Sequence, residues 1–491
     1  MWRAILCTLI LAVPAFAQPA YTENEAAVKA VERAGGKPVR GVPLLVKPGV
    51  APARVPDPDD ALRGVDNSKL LPITVITFNE AKTDDAALRN IAENLAELKH
   101  LERISFNNSG VTDAGLKSLG LCEWLTTLSI GPGRIFGTGL KDLADLKYFT
   151  TFELDGALLS HGGFKALAKL KTLNRLVLTR SKANDDDMKQ IAELTNLTSL
   201  SMGDASITDT GLAQLGPLKK MVVLDLGRCK ITGPGLKAVA EMPVLSTLTL
   251  SGTPITDAGM AFLADCKALQ TLSLDNTKAG DFGMKHLSAL PKLSTLNLTN
   301  TAVTAAGMKD LASIKTMVNL TLTKTKIGDL GLKELAGLKN LSNLGLAGTG
   351  VTSASGKVLA GFTNLTSLDL GGTKFGDAGV AEIGGTLKLL AFLDLTDCPI
   401  TDIPGRFTQF PNLYSLSLSG TRVGDKTLKE FGALKHLVTL NVARTPVTSS
   451  SFNPITDLRE TLRSLDLTGT KFYPNRVADL KKAMPYCTIR Y

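Results

Sequence analysis

The stretch Leu245–Ala268 reads LSTLTLSGTPITDAGMAFLADCKA, and its pattern decides the fold. Leu248 and Leu250 alternate with Thr and Ser, the period of a strand with one buried face. Thr256 and Asp257 then offer side-chain oxygens to the free N–H groups at a helix start. Met260, Phe262 and Leu263 follow at spacings that suit a short helix packed on the strand. One strand and one short helix cannot bury an apolar face alone, so such units are expected to stack on copies of themselves.

The copies are there. The leading apolar residue recurs from Leu101 to Leu365 in eleven consecutive steps of 24 residues, then at Leu390, Leu413, Leu437 and Leu462 in steps of 25, 23, 24 and 25. A looser copy begins at Ile73, which gives seventeen, and Met484-x-x-Cys487-x-Ile489 reads as a last strand with no helix after it. The phrase L-x-x-L-x-L-x-x-[T/C]-x-I-T-D-x-G-L resembles the leucine-rich-repeat family. It is similar above all to the cysteine-containing subtype of F-box substrate adaptors and to exported bacterial arrays. Here the copies are 24 residues long and the loop position is mostly Thr. The resemblance implies an α/β solenoid, curved, with a parallel sheet on one face and short helices on the other. It also implies a partner-binding strand face.

Residues 1–17 have the form of a signal peptide: Arg3, an apolar run from Ala4 to Val13, and Ala15-Phe16-Ala17 as the cleavage site. Residues 18–70 read as an N-terminal helix over Glu25–Ala34, stopped by Gly35-Gly36, and a Pro-rich linker or cap. Residues 71–491 are the array, closed by a terminal strand cap near 484–491. No run reaches the roughly 20 apolar residues of a membrane span. The expected location is therefore outside the cytoplasm: secreted, periplasmic or at the cell surface. The formal charge is +9, or +8 without Arg3, and aromatic residues make up only 5% of the chain.

Five cysteines follow the signal segment. Cys229 and Cys398 stand in the loop column otherwise filled by Thr253, Thr277, Thr301 and their equivalents. Cys122 and Cys266 replace a helix-end Leu, and Cys487 a strand Leu. Seven copies separate Cys229 from Cys398, roughly 34 Å at the strand spacing, and a disulfide needs Cα atoms within about 7 Å. Five buried free thiols are expected. The Thr column is expected to bond the backbone of neighbouring turns as a ladder along the array, with Cys as a weaker substitute.

Asp recurs twelve residues into ten copies and Lys or Arg four residues later in twelve, so that seven copies carry both, as in Asp113 with Lys117. Acid before base at this spacing predicts favourable ion pairs on a solvated helix face. Nothing points to catalysis. His100, His161, His286 and His436 are dispersed over separate copies. Gly131-Pro132-Gly133…Gly137-Thr138-Gly139 lies where a phosphate loop would sit but lacks its Lys-Ser/Thr ending. No enzyme activity, cofactor or metal is expected.

Most outward strand positions are Ser, Thr, Asn or Gly. Two neighbourhoods depart from that: Glu153, Asp155, Arg175, Arg180, Asp204, Asp225 and Arg228, and a second group of Asp369, Phe392, Asp394 and Asp397. These are the candidate partner-binding residues, although Arg180, Asp204 and Arg228 share one column and also read as a cross-strand charge ladder. The resulting expectation is a monomeric, non-catalytic exported scaffold binding a protein or surface glycan on its strand face, with no nucleic-acid partner. The alternatives are a structural cell-envelope component held by a basic helical face and, through the subtype resemblance, an F-box-like adaptor for ubiquitin ligation.

Overall fold

A computed structural model describes residues 24–41, 72–156 and 158–491. The proposed signal segment and most of the Pro-rich stretch, residues 42–71, lie outside the described residues. The chain divides into two compact units, Met1–Leu178 and Thr179–Tyr491.

In the first unit, helix α1 (Glu25–Arg33) begins at Asn24, whose side chain accepts from the Ala26 and Ala27 N–H groups. Gly35 follows at φ +87°, the left-handed region that glycine enters without a Cβ penalty. The chain then forms β1 (Gly36–Arg40), antiparallel to β2 (Ile73–Phe78). From β2 onward every pairing in this unit is parallel: β3 (Arg103–Phe106), β4 (Thr127–Ile130), β5 (Thr151–Leu154) and β6 (Arg175–Val177). The stretch between Gly35 and Arg40 is thus a strand, and Pro38 sits in it opposite Ile76. An edge strand tolerates Pro because one row of its N–H groups has no ladder partner.

The second unit is a continuous parallel sheet of three-residue strands, each one rung. They are β7 (Ser199–Ser201), β8 (Val223–Asp225), β9 (Thr247–Thr249), β10 (Thr271–Ser273), β11 (Thr295–Asn297), β12 (Asn319–Thr321) and β13 (Asn343–Gly345). They continue as β14 (Ser367–Asp369), β15 (Phe392–Asp394), β16 (Ser415–Ser417), β17 (Thr439–Asn441), β18 (Ser464–Asp466) and β19 (Thr488–Arg490). Register is constant: Leu248, Leu272, Leu296, Leu320 and Leu344 pair in turn, each at most 2% exposed. Burying each such side chain contributes about 1.5–3 kcal/mol, which a lone rung could not collect. The helix layer is less regular than the strands. Asp281–Leu287 is a seven-residue α-helix, whereas the copy at Leu390 keeps only a 3-10 turn, Phe407–Gln409. Pro404 and Gly405 occupy the helix positions there, removing an N–H donor and lowering helix propensity.

The recurrent Asp does not pair with the Lys four residues on. Among the described residues none of the seven expected pairs forms; the ion pairs fall elsewhere. Each carboxylate instead reaches the next copy. Asp281 accepts from the Thr304 N–H at 2.7 Å, the Thr304 hydroxyl at 2.6 Å and the Gly307 N–H at 3.0 Å. Asp329 holds Thr352 and Ser355, and Asp425 holds Thr448 and Ser451, in the same way. The reason is the free N–H groups at the start of the following helix: they attract a carboxylate more strongly than a solvated ammonium does. Partial burial opposes ionisation of Asp209, but the Thr232 hydroxyl and the N–H groups of Gly235, Gly233 and Thr232 outweigh it and hold the carboxyl below its ordinary range.

The Thr column also departs from expectation. Thr253, Thr277, Thr301 and Thr325 donate to Leu250, Leu274, Leu298 and Leu322, three residues back in their own turn, at 2.5–2.7 Å. Thr373 is an exception, its hydroxyl lying 3.5 Å from the Cys398 thiol of the next copy. The two cysteines of this column do reach the preceding copy: the Cys229 thiol lies 3.3 Å from the Met202 carbonyl and Cys398 3.0 Å from that of Leu370. All five described cysteines are free and buried. Burial pushes Cys122 and Cys266 up to about 12 and Cys229 up to about 11.

Three outcomes test this account. Asp281→Ala should lower unfolding stability by about 1–3 kcal/mol in urea, and Lys285→Ala by no more than about 0.5 kcal/mol; equal losses would restore the helix ion pair. Asp209, with its lowered carboxyl, adds stability above its unfolded pKa that disappears as pH falls through the folded value, so Asp209→Asn should blunt acid unfolding below about pH 4. In a chain begun at Gln18, a thiol reagent at neutral pH should label none of the five cysteines quickly, and all five in denaturant.

Candidate partner-binding face

Each strand buries its central residue and turns the two flanking side chains outward, so the outward face is built from two strand columns and the turn that follows. In the first unit Glu153 and Arg175 meet diagonally across β5 and β6, with Arg175 Nε 3.3 Å from Glu153 Oε1. Asp155 lies just beyond β5 in the turn, its N–H donating to the Ile130 carbonyl.

In the second unit Arg180, Asp204 and Arg228 are turn residues rather than a strand ladder, with φ of +56°, +63° and +58°. Glycine fills the same position as Gly252, Gly348, Gly372, Gly420 and Gly469, and Asn as Asn276 and Asn300. The left-handed turn explains the column, since Gly, Asn and Asp enter it most easily. Arg228 Nη1 lies 3.0 Å from both Asp204 oxygens, yet the Arg228 side chain is 72% exposed, and so open a pair contributes at most about 1 kcal/mol.

Asp225, Asp369 and Asp394 end their strands with one shared contact. Each Oδ1 accepts from the N–H two residues on: Gly227 at 3.0 Å, Gly371 at 2.9 Å and Thr396 at 2.7 Å. Asn297, Asn441 and Asp466 make the same turn. The turn therefore calls for an Asx oxygen, and the charge is additional. Asp369 and Asp394 are register partners on β14 and β15. Burial raises the Asp369 carboxyl and the neighbouring Asp394 charge raises it further, against the Gly371 N–H. Asp397, at φ +55°, pairs with Arg444 two copies on at 3.2 Å. That pair passes over Gly420, where a Cβ would stand 1.9 Å from Asp397 Oδ1.

Phe392 is 48% exposed and packs against Tyr414, 45% exposed, with ring centroids 5.7 Å apart and planes at 52°. Tyr414 and Arg444 escaped the sequence reading. Tyr414 lies one position outside the alternating outward columns, and its only signal was an aromatic ring where the other copies carry mainly small or polar residues such as Thr126, Ser246 and Ser294. Asp275 was missed as well; it gathers the Ser251 and Ser273 hydroxyls and the Asn276 and Asn297 amides. A depression of about 400 Å³ opens on this face between Thr439, Asn441, Arg463, Asp466 and Arg490.

In the glycine-rich loop after β4, three N–H groups that a phosphate would need are already engaged. Those of Phe136, Gly137 and Gly139 already donate to the Asp113 carboxylate at 2.8, 2.8 and 3.1 Å. Among the described residues no group of three His, Cys, Asp or Glu side chains is placed to hold a metal ion, and no helix is long and apolar enough to cross a membrane.

Asp369 yields a pH test. A carboxyl raised in the folded state binds more protons there than in the unfolded chain, so stability falls as pH rises from the unfolded value near 4 through the folded one. Asn keeps the turn contact, as Asn297 and Asn441 show. Asp369→Asn is therefore expected to raise the melting temperature at pH 7 and to leave it unchanged at pH 4.

The sequence profile described as Leucine Rich repeat matches residues 193–216, 218–240 and 363–384. An internalin of Listeria monocytogenes is similar in structure at 22% identity and a TM-score of 0.54, over 67% of this chain and 93% of that one. A leucine-rich-repeat protein of Leptospira interrogans is similar at 22% identity and a TM-score of 0.50, over 81% and 92%. Comparison with curated proteins gives no match. The rung-by-rung register, the profile matches and these two folds agree: the chain carries leucine-rich repeats and folds as a leucine-rich-repeat solenoid.

Proposed function

We propose that this protein is a non-catalytic exported scaffold that captures a protein partner on the strand face of its second unit, around Phe392, Tyr414, Asp369 and Asp394. The exposed ring pair carries the reading. Two aromatic side chains packed at a tilt on the surface supply rigid contact area at low entropic cost, and such residues dominate binding energy in most interfaces. The rest of the strand face is short side chains. Asp369 and Asp394 add an acidic margin that selects a basic or polar segment over an acidic one. Glu153, Asp155, Arg175, Arg180, Asp204, Asp225, Arg228 and Asp397 are secondary contacts in this reading; their charges are mostly engaged within the protein. The Arg3…Ala15-Phe16-Ala17 segment supports export, with Gln18 as the mature N-terminus.

Capture from exported and envelope fractions by the wild type and by Phe392→Ala/Tyr414→Ala tests the face. A specific partner should be retained by the wild type and lost at least about ten-fold in the variant. Equal retention by both would remove this face. N-terminal sequencing of chain recovered outside the cytoplasm should begin at Gln18, and an unprocessed cytoplasmic chain would overturn export.

A further inference from the structure

The loop leading from each strand to its helix carries an alternation that the strand face does not use. In every second copy of the second unit, the residue after the Thr or Cys of the turn is basic: Lys230, Lys278, Lys326, Lys374, Arg422 and Lys471. Lys182 precedes them in the same column. Between them stand Pro254, Ala302, Gly350, Pro399 and Pro446. Along this edge the period is a pair of copies, with four steps of 48 residues and one of 49.

Part of the alternation belongs to the backbone. Lys278, Lys326, Lys374 and Lys471 form isolated parallel bridges with Thr256, Thr304, Thr352 and Thr448 of the preceding copy. Their N–H groups donate to the carbonyls of Ile255, Val303, Val351 and Val447. Such a bond needs an N–H, which Pro lacks but any other residue supplies; Ala302 supplies one to Ala279 at 3.0 Å. The backbone therefore does not account for a cation at all six positions. The six side chains are exposed, and among the described residues none makes a side-chain hydrogen bond or ion pair. The nearby recurrent carboxylates, such as Asp281, Asp329 and Asp425, have their oxygens taken by the next copy.

The spacing then narrows the ligand. Parallel strands stand about 4.8 Å apart, so a cation on every second rung recurs roughly every 10 Å. Duplex DNA carries a charge per about 1.7 Å of axis and a single strand one per about 3.4 Å, so this row would meet only one phosphate in several. Exposed rings near the row are few, Phe282 beside Lys278 and Tyr473 beside Lys471, so successive bases would find no continuous stacking platform. An extended polysaccharide presents its disaccharide repeat over a length close to two rungs. We propose that this edge binds an extended anionic polysaccharide carrying one carboxylate or sulfate per disaccharide, independently of the strand face.

Hyaluronan, with one carboxylate per disaccharide, is the probe for the full chain, against oligo-dT and phosphatidylserine-containing vesicles. Lys278→Gln/Lys326→Gln/Lys374→Gln keeps every backbone N–H and should weaken hyaluronan binding at least about ten-fold, with a shallower dependence of affinity on salt. Lys326→Ala/Ala302→Lys keeps the net charge but moves one cation by a rung, and should still lower the affinity about three-fold, beyond what overall charge steering predicts. Unchanged binding in either variant, or tighter binding of oligo-dT or vesicles than of hyaluronan, would overturn the proposal.

Discussion

Every rung of this protein depends on its neighbour for burial. A three-residue strand and a helix of about two turns enclose nothing, so the free energy of folding resides in the fit between copies. Two contacts fix that fit. At the strand edge, constant register puts Leu over Leu with no slippage, because a one-residue shift would turn the whole apolar set outward. At the helix edge, a carboxylate from one copy closes on the N–H groups and hydroxyl that begin the next helix. The second contact makes the stacking directional, since only the preceding copy supplies the acid.

That constraint governs the chemistry the protein offers. Within a unit, stacking brings together only groups of nearby copies, and among the described residues no three His, Cys, Asp or Glu side chains are placed to hold a metal ion. The loop after β4 illustrates the same point: the N–H groups of Phe136, Gly137 and Gly139 are held by Asp113. Burial holds the thiols protonated and inert. What remains available is surface, repeated at rung spacing along two lines, the strand face and the loop edge.

On the strand face, structural demands account for much of what first looks like a site. Asp225, Asp369 and Asp394 close turns that Asn closes equally well, and Arg180, Asp204 and Arg228 hold a left-handed turn that Gly holds more easily. Charge at such positions goes beyond what the turn requires. Where it stands beside exposed rings, as around Phe392 and Tyr414, the surplus has an interaction to serve.

The sequence by itself determined the repeat, its 24-residue step, the strand of each copy and the helix of most, the buried Leu columns and the isolation of the cysteines. All of these follow from periodicity, which is a property of the chain alone. It also placed Glu153, Phe392 and Asp394 on the outward face, because alternation along a strand assigns sides. Only the tertiary structure decided where the polar groups spend their hydrogen bonds. Asp113 and Lys117 are neighbours on one helix, and nothing in their spacing says that the acid prefers the backbone of the next copy. Likewise Tyr414 meets Phe392, and Arg444 meets Asp397 across Gly420, through a register between copies that no single repeat contains. Local pattern fixes which groups exist and which way they point; stacking fixes which of them touch.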